Sequence, residues 1–124
     1  MTIAEVSEKL KISADTLRYY ERIGLIPPVP RNKSGIRDYD DKSLYWINFV
    51  RCMRKSGLKI EKLIEYVTLF QKGDETAEIR KALLIEQKKD ILLKIEELNE
   101  NLKYLNIKIN RYEEVTTKME EKLK

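Results

Sequence analysis

The stretch of the chain that follows Gly73 contains neither proline nor glycine, and its apolar residues recur at alternating intervals of three and four. Residues spaced in this way lie along one side of an α-helix, and a sustained run of them is typical of a coiled coil. The pattern predicts a single helix over about residues 76–115, roughly 60 Å long at 1.5 Å per residue. Its predicted contact positions, which we call the seam, are Ile91, Ile95, Leu98, Leu102, Leu105, Ile109 and Tyr112.

An apolar seam of this length needs a partner, because nothing else in a chain of 124 residues is long enough to cover it. The simplest partner is a second copy of the same helix, which predicts a homodimer. The spacing alone leaves open whether the two helices run parallel or antiparallel. It also leaves open the alternative that the helix folds back on its own domain.

The basic residues are concentrated in the first half of the chain. Residues 1–59 hold 12 Lys and Arg against 7 Asp and Glu, a surplus of five positive charges, whereas residues 60–124 hold 13 against 14. A basic unit joined to a nearly neutral helix is the pattern expected of a nucleic-acid-binding domain with a separate assembly element. A surplus of five is modest, so charge alone also allows a chance composition.

Two short helices joined by a turn are predicted near the N terminus. Thr2 and Glu5 have the spacing of a capping box, which predicts a first helix over about residues 3–10. Ser13 is a suitable N-cap for a second helix over residues 14–23. Two helices of this length with so short a connection predict a helix-turn-helix.

A stretch rich in proline follows the second predicted helix. Pro27, Pro28 and Pro30 exclude a helix, and Gly35 predicts a tight turn, so residues 25–40 are expected to form a small hairpin with basic residues at its tip.

Two further amphipathic helices are predicted before the long one. Asp40 or Asp41 caps the first of them, which runs to about Lys55, and the second ends at Gly73. The fold class is therefore mainly α. The predicted domains are a DNA-binding domain over residues 1–73, a dimerisation helix over 76–115 and a C-terminal tail over 116–124.

The composition excludes several classes of active site. The chain has no histidine, which excludes a serine triad and a zinc site with histidine ligands. Its one cysteine, Cys52, can form neither an internal disulfide nor a thiolate cage for a metal. We therefore expect no catalytic residue, metal or cofactor. We also expect no membrane segment and a cytoplasmic location, because no apolar run approaches about 20 residues and Glu5 and Glu8 lie where a signal peptide would be apolar.

The run TLRYYERIGLI over residues 16–26, followed by Arg37-Asp38-Tyr39, resembles the signature of the mercury-resistance-regulator (MerR) family of bacterial transcription factors. The resemblance extends over nearly the whole chain and includes the proline-containing hairpin and the long last helix. It implies a winged helix-turn-helix DNA-binding domain followed by a long dimerisation helix that pairs as an antiparallel coiled coil.

The same signature contains the residues expected to contact DNA. Arg18 can make a bidentate contact to a guanine edge or to phosphate, and Tyr19 offers a hydroxyl that can reach a phosphate oxygen. For Arg18 the alternative is a solvated surface charge, for Tyr20 a core position, and for Tyr39 a buttress of the hairpin. The predicted DNA-binding residues are Thr16, Arg18, Tyr19, Tyr20, Lys33, Ser34, Arg37 and Tyr39.

The resemblance also implies a mechanism and partners. A homodimer would bind a pseudo-palindromic site in double-stranded promoter DNA and activate transcription by distorting the duplex, so that bacterial RNA polymerase can engage both promoter elements. Such a switch is indirect readout, because the cost of deforming the duplex differs between two states of the protein. The inducer that selects between those states is unknown.

Cys52 is a candidate sensor of electrophiles. Its setting, Arg51-Cys52-Met53-Arg54-Lys55, resembles the branch of the family that responds to aldehydes and to nitrosative or other electrophile stress. Neighbouring positive charge favours the reactive thiolate, and a modified sulfur in a packed helix would overfill its site. The alternative is that Cys52 is a small buried hydrophobe, as free cysteines often are.

One function from another class stays open on the residues alone, namely a coiled-coil adaptor whose basic domain binds protein or RNA. Such an adaptor would show no preference for duplex DNA over single-stranded RNA. An enzyme is not predicted, because no cluster of acid, base and nucleophile is present and the carboxylates Glu96, Glu97 and Glu100 are explained by a solvated helix face.

Overall fold

Six α-helices make up most of the structure, a computed structural model that describes residues 1–124. No β-strand forms, and the expected hairpin is reduced to one isolated antiparallel bridge between Arg31 and Arg37. The mainly α fold class is confirmed. The helices are α1 (Ile3–Leu10), α2 (Ala14–Arg22), α3 (Asp41–Lys55), α4 (Ile60–Lys72), α5 (Ala77–Asn110) and α6 (Thr117–Leu123).

The chain divides into two compact units, Met1–Gln87 and Lys88–Lys124. We call the first the head and the second the distal unit. The division falls inside α5, so about three turns of that helix, residues 77–87, belong to the head.

The predicted caps start the first three helices. The Thr2 hydroxyl accepts from the Glu5 amide while the Glu5 carboxylate accepts from the Thr2 amide, which completes the capping box of α1. Ser13 accepts from the Thr16 amide at the start of α2. Asp40 accepts from both the amide and the hydroxyl of Ser43, and these hydrogen bonds lower the pKa of Asp40 below its ordinary value. Each cap satisfies amide groups that a helix start would otherwise leave unpaired.

The core of the head is made by apolar residues from all four of its complete helices and from the segment between α2 and α3. Val6, Leu17, Ile47 and Leu63 are fully buried, each from a different helix. Leu25, Ile26 and Val29 enter the same core from the proline-rich segment, which therefore packs against the helices rather than lying free. Trp46 extends the core into a cluster of aromatic rings, with its centroid 4.9 Å from that of Phe70 and 5.5 Å from that of Phe49.

The long helix ends earlier than its apolar spacing predicts. α5 ends at Asn110 rather than near residue 115, and a π-helical turn, Tyr112–Thr116, follows. Thr116 is buried, and its hydroxyl donates to the Lys108 carbonyl at 3.3 Å, eight residues back, a contact that a straight helix could not make. The β-branched run Val115-Thr116-Thr117 has a low helix propensity, which favours the break at this point. Tyr112, the last predicted seam residue, therefore lies beyond the end of α5.

No helix of the structure combines the length and the apolar character that crossing a bilayer requires.

Candidate nucleic-acid interface

The second helix of the helix-turn-helix presents its predicted contact residues on the head surface. Arg18 and Tyr19 are exposed, whereas the preceding residue, Leu17, is fully buried in the core. Thr16 is half-buried in the first turn of α2, where its hydroxyl is 2.7 Å from that of Ser13. The same helix thus carries a buried anchor and an exposed polar side, as a recognition helix requires.

Arg18 is held only by a weak surface interaction. Its Nη1 donates to Asp15 at 2.9 Å, but the Asp15 side chain is 96% exposed and that of Arg18 is 48% exposed. An ion pair this open to solvent contributes little to stability. The guanidinium of Arg18 can therefore exchange Asp15 for a phosphate or a guanine edge at small cost.

The two tyrosines of α2 lie in different environments. Tyr19 is exposed, and the guanidinium carbon of Arg22 lies 5.5 Å from its ring centroid. Arg22 therefore adds a positive charge beside Tyr19 that the predicted set of contacts does not include. Tyr20 is half-buried, and its ring packs against the core. This agrees with the alternative of a core position that the sequence left open.

The segment between α2 and α3, which we call the wing, ends in an exposed tight turn. The Asn32 side-chain oxygen accepts from the amides of Ser34 and Ile36, and Gly35 adopts a positive φ of 78°. An Asx turn with glycine in this conformation fixes the tip without any strand ladder. Lys33 and Ser34 are exposed at this tip, as predicted.

Arg31 adds a further basic residue to the wing. It is exposed, and its Nη1 donates to the Gly35 carbonyl at 3.0 Å. Arg31 was missed as a candidate contact, although its place in the run Arg31-Asn32-Lys33 next to the predicted turn was a usable signal.

A partly buried ion pair between Arg37 and Glu21 holds the wing against α2. The Arg37 Nε donates to Glu21 at 2.6 Å, and the Val29 amide donates to the other oxygen of Glu21 at 2.8 Å. Burial alone would raise the pKa of Glu21, but the hydrogen bonds from Arg37 and Val29 outweigh it and the pKa lies below its ordinary value. Glu21 is thus ionised at neutral pH and anchors both sides of the wing.

This pair changes the interpretation of Arg37. Its side chain is only 24% exposed and is engaged by Glu21, which makes it first a residue that positions the wing. Glu21 itself was not among the candidate residues, because a partner 16 residues away leaves no local signal in the sequence.

Tyr39 lies in the core rather than on the surface that carries the other candidates. Its side chain is 1% exposed, its hydroxyl has no hydrogen-bond partner, and burial raises its pKa. A hydroxyl in this position does not reach a phosphate. We therefore correct the expectation for Tyr39, which buttresses the wing, and leave it out of the proposed DNA contacts.

Cys52 is exposed near the end of α3. The alternative of a small buried hydrophobe is thus contradicted for this residue. The same exposure also removes the expectation that a modified sulfur would overfill a packed site, since a group added here extends toward solvent.

The seam residues are exposed along the part of α5 that lies in the distal unit. Leu98 is 66% exposed, Leu102 54% and Leu105 53%, whereas Ile91 at the start of the unit is half-buried. Exposed leucines at intervals of three and four form an apolar surface that water disfavours.

The family of the chain is shown by comparison with known proteins. The family model described as "MerR HTH family regulatory protein" matches residues 1–70, which span the head up to the last turn of α4. The HTH-type transcriptional regulator AdhR of Bacillus subtilis is 54% identical over 92 residues, covering 74% of this chain and 66% of that protein. An uncharacterised HTH-type transcriptional regulator of Haemophilus influenzae is 35% identical over 112 residues, covering 90% and 83%.

Two solved structures resemble the whole fold. A crystal structure described as a MerR family transcriptional regulator from Listeria monocytogenes matches with a TM-score of 0.84 and 46% identity, covering 99% of this chain and 93% of that one. HiNmlR, described as a MerR family regulator lacking the sensor domain and bound to promoter DNA, matches with a TM-score of 0.78 and 34% identity, covering 94% and 92%. Together with the exposed recognition helix and wing, these matches establish that the chain belongs to the MerR family of helix-turn-helix, DNA-binding transcriptional regulators.

Proposed function

We propose that this regulator binds a pseudo-palindromic promoter site as a homodimer and activates transcription by distorting the DNA. The observation that carries the proposal is that one chain presents both a basic exposed surface and an exposed apolar seam. The head presents a basic recognition helix and wing tip, and α5 presents an apolar seam with no partner.

The DNA contacts that we propose combine the two exposed parts of the head. Arg18 and Tyr19 on α2 are placed to enter a groove, whereas Lys33 and Ser34 at the wing tip are placed to hold phosphates. Thr16 supports α2 at its first turn, and Arg37 acts through the position of the wing. Arg22 and Arg31 add charge that strengthens phosphate binding without reading sequence.

The homodimer follows from the cost of leaving the seam in water. Each fully buried leucine or isoleucine contributes about 1.5–3 kcal/mol relative to exposure, so six seam residues within α5 supply a driving force well above that of a transient contact. A two-fold pair of heads would place two recognition helices on one face of a duplex, which is why a site with two-fold symmetry is proposed. We adopt the antiparallel pairing that the family resemblance implies.

Activation by distortion explains how a small regulator could act on RNA polymerase. A dimer that holds two half-sites at a fixed separation can bend or untwist the DNA between them, and that deformation costs several kcal/mol. The polymerase would then engage promoter elements that are out of phase in relaxed DNA. The relative described as lacking the sensor domain and bound to promoter DNA supports the promoter-binding part of this proposal.

The direct test of the DNA contacts is Arg18→Ala. The substitution removes the best-placed groove contact, and we expect promoter affinity to fall about tenfold to a hundredfold, because a bidentate arginine contact contributes about 1–3 kcal/mol. A gel shift with duplex DNA measures it, and the affinity should also fall steeply with salt. Single-stranded RNA of the same length separates a DNA regulator from the RNA-binding adaptor.

A matched control is Lys72→Ala, which removes one positive charge from the exposed end of α4. We expect this variant to bind nearly as well as the parent protein. Equal binding by the Arg18→Ala variant and the parent protein would contradict the proposed reading surface.

We also propose that Cys52 senses electrophiles such as aldehydes or nitrosothiols. The support is its exposure, which allows a reagent to reach the sulfur, and its place at the end of α3 beside the turn that leads to α4. The test is transcription from a bound promoter under aldehyde or nitrosothiol challenge, comparing the parent protein with Cys52→Ser. Equal induction would exclude the thiol as the sensor and would leave the DNA-binding function intact.

A further inference from the structure

Gln87 is the one buried polar residue of α5, and it makes a contact across the head. Its side chain is 9% exposed, and its Nε2 donates to the Ser56 carbonyl at 2.6 Å, 31 residues away in the chain. Ser56 is the C-cap of α3, so this hydrogen bond joins the end of α3 to the helix that carries the seam.

At the end of α3, the Ser56 carbonyl accepts a hydrogen bond from Gln87 alone. A helix end leaves its last carbonyls without partners in the helix itself. The turn after α3 pairs several of them, since the Leu58 amide donates to the Met53 carbonyl at 2.9 Å and the Gly57 amide donates to the Arg54 carbonyl at 3.0 Å. The Ser56 carbonyl points out of this turn and accepts from Gln87. Losing that donor would leave a partly buried acceptor unpaired.

Gln87 also stands at the point where one row of α5 changes its environment. Leu83, Gln87, Ile91 and Ile95 are each four residues apart and so lie along one row of the helix. Leu83 and Gln87 are buried in the head, whereas Ile95 is 48% exposed in the distal unit. Gln87 is the last residue of the head. It is therefore the last polar restraint on the helix before the seam begins.

We propose that Gln87 is a positioning residue that sets the separation between the two DNA half-sites to which the regulator binds. The inference rests on the proposed function, because it needs a homodimer joined through α5. The hydrogen bond from Gln87 to the Ser56 carbonyl fixes how the first three turns of α5 pack on the end of α3, within the head. Because the proposed dimer joins its two heads through α5, the angle at which α5 leaves α3 would set how far apart the two recognition helices lie.

The test measures spacing preference rather than affinity alone. Duplexes are first selected from a random library by the parent protein, and the enriched pair of half-sites is then resynthesised with the spacer lengthened or shortened by one and two base pairs. We expect the parent protein to prefer one spacer, and Gln87→Leu to weaken that preference about fivefold, the effect of one hydrogen bond. Affinity for a duplex with a single half-site should be unchanged.

A second variant and a control keep the result interpretable. Gln87→Glu retains the size of the side chain but cannot donate when ionised, so it should also weaken the preference even if the leucine variant folds poorly. Gln71→Leu makes the same replacement at an exposed glutamine of α4 and should retain the preference of the parent protein. Circular dichroism and the dimer fraction are checked for each variant.

The outcomes separate the two proposals. An unchanged spacer preference in both folded, dimeric Gln87 variants would overturn the positioning role and leave the promoter-binding dimer standing. If the parent protein itself selects no paired half-sites, or binds as a monomer, the proposed function fails instead.

Discussion

The head and the distal unit use the same apolar residue types in opposite ways. In the head, Leu17 and Leu63 are fully buried by contacts within one chain. In the distal unit, Leu98 and Leu102 are more than half exposed although they occupy the regular positions of a helix seam. The difference teaches that the head encloses its own apolar core, whereas α5 beyond Gln87 leaves its seam exposed, as the proposed homodimer requires.

The contrast has a physical origin in the length of the elements. Helices of 8 to 15 residues pack around one another and enclose a core. A helix of 34 residues spans about 51 Å, so the core of the head cannot cover its far part. Four substitutions break or sharpen this comparison, and they follow from the largest expected effect to the smallest.

The largest effect is expected from a charge in the seam. Leu98→Asp should weaken dimer formation at least a hundredfold, because two carboxylates would be buried against the seam of the partner. Analytical ultracentrifugation measures the dimer fraction, and the control Asn99→Asp places the same charge at the neighbouring exposed position. The head should stay folded in both variants. A dimer of unchanged strength would place the interface elsewhere.

The next effect is expected in the core of the head. Ile47→Ala removes a fully buried side chain and should lower the free energy of unfolding by about 2–5 kcal/mol. Urea unfolding followed by circular dichroism measures the change, with Ile36→Ala, an exposed residue near the tip of the wing, as a control that should alter stability by less than about 0.5 kcal/mol. Similar losses in both variants would contradict the distinction between the packed core and the exposed tip of the wing.

The anchor of the wing should depend on pH. Because the folded-state pKa of Glu21 is lowered, its ion pair with Arg37 stabilises the head above the ordinary carboxyl pKa, and the contribution is lost as the pH falls through the lowered value. Arg37→Ala should therefore cost about 1–3 kcal/mol at pH 7 and much less under strongly acidic conditions. Unfolding measured across this range tests it. A cost that stays constant with pH would mean that Arg37 acts by packing alone.

The smallest effect is expected at the start of the recognition helix. Ser13→Ala removes the hydroxyl that accepts from the Thr16 amide and should cost about 1 kcal/mol. Thermal unfolding of this variant is compared with that of Ser34→Ala at the wing tip, where the hydroxyl caps no helix. A loss at Ser34 equal to that at Ser13 would show that the cap contributes nothing of its own.

Features with a local cause could be predicted from the sequence. The starts of α1 and α3 follow from the caps Thr2 and Asp40, each of which acts on residues three positions ahead. The exposed Arg18 and Lys33 followed from the family signature and from the turn at Gly35. The caps and the turn at the wing tip are determined by contacts between residues no more than four positions apart.

Features that depend on distant contacts could not be predicted in the same way. The Glu21–Arg37 pair joins residues 16 apart, and Gln87 reaches Ser56 across 31 residues. Tyr39 carries a hydroxyl that could bind phosphate if it were exposed, and only the packing of the wing against the helices of the head shows that its ring is buried. The early end of α5 could not be predicted because the apolar spacing continues past it, and the contact from Thr116 to Lys108 that accompanies the π-helical turn leaves no signal in that spacing.

The placement of Trp46 gives the protein its own optical reporter. It is the sole tryptophan of the chain, it is 7% exposed, and it contacts rings from both α3 and α4. Far-ultraviolet ellipticity reports all six helices together, whereas the emission of this indole depends on the packing between α3 and α4. Intrinsic fluorescence therefore detects loosening of the head even when the overall helical signal has not changed.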